Sequence, residues 1–108
     1  MTAEIRELLE LAAQAAEVSI HHQDEHGNIH TLEGDTWNPL ESGDDLIDLL
    51  DKREIRVLQH ECYVQVWSGR NIAFPSVTED FSNHPTRKAA LAMAVLRCAA
   101  EHGRRVKR

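Results

Sequence analysis

The stretch Ala89–Ala100, AALAMAVLRCAA, decides how this 108-residue chain must fold. Alanine, leucine and methionine favour a helix, and Arg97 is the only polar side chain among these twelve residues. A surface helix keeps one polar face, so a helix that is apolar nearly all the way round has to be covered on more than one side. One sheet face is not enough. The second cover is either the first helix of the chain or a second copy of the chain, and Ala89, Ala90, Ala92, Ala94, Ala99 and Ala100 permit close approach. The helix is expected to begin at a cap, Asn83 or Thr86, and to run to about His102. Gly103 suits its C-terminal cap, with basic residues beyond it on the negative end of the dipole.

Working outward, Ile5, Leu8, Leu9, Ala12 and Ala16 form one stripe between Thr2 and Glu17, with Glu7, Glu10, Gln14 and Glu17 opposite, the period of a surface helix. Val18 to Ile20 switch to a strand pattern. Asp24-Glu25-His26-Gly27 then supplies aspartate at the first turn position and glycine where the backbone needs a positive φ, before Ile29 to Leu32 resume. A three-residue type I turn plus bulge at this hairpin sets Asp24 across from Asn28 and His22 across from His30 on one face. Ser42 reads as the cap of a second helix, with Asp44 and Asp45 complementing its positive end. This helix runs to about Asp51 and buries Leu46, Leu49 and Leu50, with Ile47 flanking. Trp37 and Pro39 dock the preceding loop onto the core.

Ile55–Gln59 and Cys62–Trp67 read as strands joined tightly at His60-Glu61, followed by a turn at Ser68–Asn71 and an optional further strand, Ile72–Phe74. Pro75 to Pro85 read as a connecting loop. The fold class is therefore α+β: an antiparallel sheet with three helices in the order α-β-β-α-β-β-(β)-α, the helices covering the sheet as a layered sandwich. The length fits one domain, residues 1–108, with a short basic C-terminal tail at 104–108.

Composition narrows the function classes. With 42% apolar and 28% charged residues the chain is of the ordinary globular kind. No apolar run reaches the roughly 20 residues of a membrane span. Glu4, Glu7 and Glu10 stand where a leader would be basic, so the chain reads as cytoplasmic. Cys62 and Cys98, only two and far apart, are expected to be free thiols. Charge is divided along the chain. Residues 1–80 hold five Lys/Arg against seventeen Asp/Glu, and residues 81–108 hold seven Lys/Arg against one acid.

Two sets of residues have the composition of a metal site. His22 and His30, in the stretch HHQDEHGNIH, could grip a metal across the hairpin, but two ligands do not close a site, and the reading favoured is a solvated polar face. His60, Cys62, Cys98 and His102 could form a two-Cys, two-His set, but match no familiar zinc spacing. The glycines fall singly at turns and caps rather than in a phosphate-binding loop, and no nucleophile motif is present. Neither catalytic residues nor a cofactor are expected.

The segments IRELLELAAQAAEV, WNPLESGDDLIDLL and the alanine-rich C-terminal helix together resemble a group of small proteins of tailed bacteriophages and prophages. The most specific element is Trp37-Asn38-Pro39-Leu40 with Gly43-Asp44-Asp45 just after it. The resemblance implies a helix-sheet-helix sandwich and an accessory protein made in a bacterial cytoplasm. It transfers no activity or cofactor. The expected function is a non-catalytic interaction module that modulates a host or phage protein, with Trp37, Asp44, Asp45 and Asp48 as interaction residues. They belong to an acidic run that also holds Glu33, Asp35, Glu41 and Asp51. The alternative is nucleic-acid binding through the basic C-terminal helix and tail, with Arg87, Lys88, Arg104 and Arg105 contacting phosphates. A homodimer would fit the apolar last helix.

Overall fold

The apolar stripe of the first segment folds as helix α1 (Ala3–Ala15) in a computed structural model that describes residues 3–68 and 76–106. Strands β1 (Ile20–Gln23), β2 (Ile29–Thr31) and β3 (Thr36–Trp37) follow, then helix α2 (Gly43–Lys52). Strands β4 (Ile55–Gln59), β5 (Tyr63–Ser68) and β6 (Val77–Asp80) come next, then a 3-10 turn at Phe81–Asn83 and helix α3 (Arg87–Val106). The class is α+β, as the sequence implies. The described strands form two three-stranded antiparallel sheets, β1-β2-β3 and β4-β5-β6, rather than one.

α3 is covered from within the chain. α1 packs along one side and β5 and β6 along the other. Ala90, Ala94, Val95, Leu96, Ala99 and Ala100 of α3, with Leu9, Ala12 and Ala13 of α1 and Val64 and Val66 of β5, form the centre of the core. This intramolecular cover removes the reason to place a second copy on that helix. Gly103 is not a C-terminal cap, because α3 continues through it to Val106. A Cβ built on Gly103 would lie 2.9 Å from the Leu11 carbonyl carbon and closer still to its oxygen. The glycine is there because the α1 backbone occupies the space of a side chain. At its other end α3 is capped by Thr86, whose hydroxyl accepts the Ala89 amide at 3.0 Å.

α1 stops in a Schellman motif. The Val18 amide reaches the Ala13 carbonyl at 2.9 Å and the Glu17 amide reaches Gln14 at 3.1 Å, with Glu17 at φ 60° in the place glycine usually holds. Val18, just beyond, packs on the core. α2 is capped by Ser42, which accepts the Asp45 amide at 3.3 Å. It buries Leu46 and Leu49 and leaves Ile47 exposed.

The first hairpin has the expected register. His22 pairs with His30, the Asp24 amide donates to the Asn28 carbonyl at 3.0 Å, and the Gly27 amide donates to Asp24 at 3.0 Å, with Gly27 at φ 86°. A bulge lies between Ile20 and His22. β3 is an addition, too short for a sequence period: Trp37 pairs with Ile29 and Thr36 with His30. The β4–β5 turn falls at Glu61-Cys62, one residue later than expected, since the His60 amide bonds to the Tyr63 carbonyl at 2.8 Å. β6 lies within the stretch expected to be a loop. Its alternation places Val77 and Glu79 level with Val66 and Val64 of β5, a pattern four residues long between turn formers. The turn and strand expected over residues 69–74 lie outside the described residues.

Gly103→Ala tests the α1–α3 contact. Alanine is the better helix former by about 1 kcal/mol, yet overpacking against a backbone carbonyl costs about 1–3 kcal/mol. Urea unfolding should show a net loss of stability, and an unchanged or higher midpoint would contradict the close approach.

Candidate acidic cleft

Within HHQDEHGNIH the Asp24 carboxylate organises the turn and engages the His30 ring. Asp24 Oδ1 accepts the amides of His26 at 2.9 Å and Asn28 at 3.0 Å, and its Oδ2 lies 2.8 Å from His30 Nε2. The His22 ring stacks on His30 with centroids 4.4 Å apart and planes 9° from parallel, and His21 Nδ1 lies 2.8 Å from His22 Nδ1. Stacked rings do not converge their lone pairs on one point, and His30 is engaged by Asp24. His26 is exposed at the turn.

The second candidate metal set is dispersed. Cys62 is exposed in the β4–β5 turn and Cys98 is buried in α3, where burial pushes its thiol up to about 11. The His60 ring stacks on Tyr63 at 4.4 Å, and the side chain of His102 lies outside the described residues. Among the described residues, no group of three or more His, Cys, Asp or Glu side chains is placed to hold a metal ion.

The acidic run is gathered by tertiary structure. Glu17 at the end of α1, Glu33 and Asp35 from the β2–β3 turn, and Asp45 and Asp48 from α2 line one cleft of about 350 Å³. Lys52 is the only cation among its described lining residues. Its ammonium is tied to the Ala16 carbonyl at 3.0 Å and lies 3.7 Å from Asp48. Glu33 and Asp35 are exposed, as are Asp44, Glu41 and Asp51 outside the cleft. Asp45 already serves the fold, its Oδ2 accepting the Asn38 amide at 2.9 Å.

Trp37 lines this cleft but is only 5% exposed. It is a core residue and not a surface anchor, because strand pairing with Ile29 draws the ring inward. Its indole nitrogen is buried without a hydrogen-bond partner.

Asn38, unassigned by the sequence reading, joins the parts. It is the buried polar residue behind the cleft. Its Nδ2 donates to Asn28 Oδ1 at 2.8 Å, tying it to the hairpin turn, while its Oδ1 accepts the Leu40 amide at 2.9 Å. Its own amide holds Asp45 of α2. The signal was the Asn-Pro pair in WNPL, where an asparagine that turns the chain against its own backbone is favoured.

Three of the basic C-terminal residues, Arg87, Arg97 and Arg104, are engaged. Arg97 Nη1 lies 3.2 Å from Glu79 and Nη2 3.9 Å from Glu4. Arg104 meets Glu101 at 3.0 Å and Glu7 at 3.9 Å. Arg87 sits over the Phe81 ring, 4.7 Å from its centroid, and donates to the Glu61 carbonyl at 3.4 Å. Lys88 is exposed. The Arg105 side chain and residues 107 and 108 lie outside the described residues.

Two substitutions probe this region. Asp24 is held at about 2, below its ordinary 3.8, first by the His30 hydrogen bond and also by the Asn28 and His26 amides, with desolvation opposing. A carboxylate with a depressed folded value stabilises fully above about pH 4, and that stability is lost as pH falls towards 2. Asp24→Asn should therefore flatten the loss of stability between these two values, as read by urea unfolding at each pH. Asn38→Ala should cost about 1–3 kcal/mol by leaving the Asn28 side chain and the Leu40 amide without their partner, measured by thermal unfolding.

Comparison of the chain with protein-family models, with curated proteins and with solved structures finds no match to any of them, so the arrangement of its own residues carries the functional reading.

Proposed function

We propose that this chain is a non-catalytic interaction module that takes a lysine- or arginine-rich segment of a partner protein into its acidic cleft and modulates that partner. The observation that carries the reading is the convergence of Glu17, Glu33, Asp35, Asp45 and Asp48 on one cleft where Lys52, the one cation among its described lining residues, is already bonded to Ala16 and Asp48. A concave surface lined by one sign of charge focuses its field and attracts the opposite sign. Asp45 is held by Asn38 and Asp48 by Lys52, so Glu17, Glu33 and Asp35 are the carboxylates available at the rim. On the resemblance to tailed-phage proteins, the partner is a host or phage protein in a bacterial cytoplasm.

Nucleic-acid binding through the last helix is the weaker reading. The guanidinium groups of Arg97 and Arg104 are ion-paired to acids of α1, β6 and α3, and the chain carries a net charge of −6.

The test is capture of partners from bacterial lysate on the tagged chain, with and without nuclease, followed by titration of the captured protein. A directly bound protein should survive nuclease treatment and bind more weakly as salt rises. Glu33→Lys with Asp35→Lys should weaken binding by about tenfold or more, which corresponds to about 1.4 kcal/mol. Unchanged affinity in the folded double variant would reject the cleft. Loss of every partner on nuclease treatment would move the function to nucleic acid.

A further inference from the structure

A separate surface, beyond the acidic cleft, lies at the free edge of the second sheet. β4 is the outer strand of the order β4-β5-β6. The His60–Tyr63 hydrogen bond that closes the β4–β5 turn fixes the phase of the ladder. Leu58 with Gln65 and Arg56 with Trp67 are then the hydrogen-bonded pairs, while Ile55, Val57 and Gln59 aim their amides and carbonyls away from β5. α3 lies over β5 and β6 and α2 reaches β4, but among the described residues no strand pairs with the outer side of β4. Val57 is 38% and Leu58 44% exposed. The opposite edge, β6, carries Glu79 and Asp80 in four residues, the charge by which sheet edges resist pairing. β4 has two exposed apolar side chains and the single charge of Arg56.

We propose that β4 pairs with β4 of a second copy of this chain, antiparallel about Val57, joining two three-stranded sheets into one of six strands. A twofold axis at Val57 sets it against the partner's Val57, Ile55 against the partner's Gln59, and Arg56 against the partner's Leu58. The register joins the three residues whose backbone groups point outward to the same three of the other copy. Its contacts are self-complementary, as a twofold interface requires. The valines meet at the axis, and the aliphatic stem of Arg56 covers leucine.

Neighbouring registers are poorer. An axis at Arg56 opposes two guanidinium groups. An axis at Leu58 leaves Ile55 outside the strand overlap and sets Arg56 against the partner's His60. One strand pair is a small interface, below about 1,200 Å², so the dimer should dissociate on dilution.

Sedimentation equilibrium over a range of concentrations, combined with amide exchange at low and high concentration, tests this. The mass should rise from 12.2 kDa towards twice that value. The Val57 and Gln59 amides should exchange more slowly at high concentration, while Leu58, already bonded to Gln65, should not change. Val57→Lys places two ammonium groups at the axis without touching a hydrogen bond inside the chain, and should return the single-chain mass with an unchanged circular dichroism spectrum. A mass fixed at that of one chain up to the solubility limit, or a dimer that survives Val57→Lys, would overturn the proposal.

Discussion

The backbone of α1 at Leu11 lies against α3 at Gly103, with no side chain between them, and the rest of the molecule is arranged around that contact. Close approach lets the alanines of both helices fill the space between them without voids, which is how small residues yield a dense core. Because α1 takes one side of α3, the second sheet need cover only the other. The first sheet is then free to form beside α1, where β1 and β2 touch it. Two small sheets serving different helix faces replace the single larger sheet that the strand pattern suggests.

The same contact resolves the uneven charge of the chain. Glu4 and Glu7 of α1 run beside Arg97 and Arg104 of α3, so the acidic beginning and basic end, opposed along the sequence, face one another in space. These are exposed pairs of modest individual worth, but they tie up cations that would otherwise be offered to phosphate. The acids of the β2–β3 turn and α2 have no such complement. Within the cleft, Lys52 is the one cation that faces them among the described residues.

Much of the local structure was legible from short-range rules. Ser42 caps α2, and Gly27 takes the positive φ that its turn requires. His22 pairs with His30 because the turn length fixes the register. The candidate site was less legible. The acids of α2 were visible as a run, but Glu17, twenty-eight residues before Asp45, reaches the cleft only because α1 ends beside it. Trp37 was read both as a docking residue and as an interaction residue, and the two-residue strand that buries it is shorter than any periodicity can reveal. Asn38 offered an Asn-Pro signal without its partners, Asn28 and Asp45, which lie ten and seven residues away.

The sequence by itself determined the class of the fold, the three helices, the first hairpin and its register, and the demand that α3 be covered on two sides. Helix caps, turn glycines and apolar periods act over a few residues, so they can be read without knowing what lies across the core. Only the tertiary structure decided that the cover is α1, that Gly103 marks a close approach within a continuing helix, and that the strands divide into two sheets. It also decided that five carboxylates share one cleft, while no strand among the described residues pairs with the outer side of β4. These outcomes depend on which surfaces meet once the chain closes on itself, and contacts between segments tens of residues apart leave no local period to read.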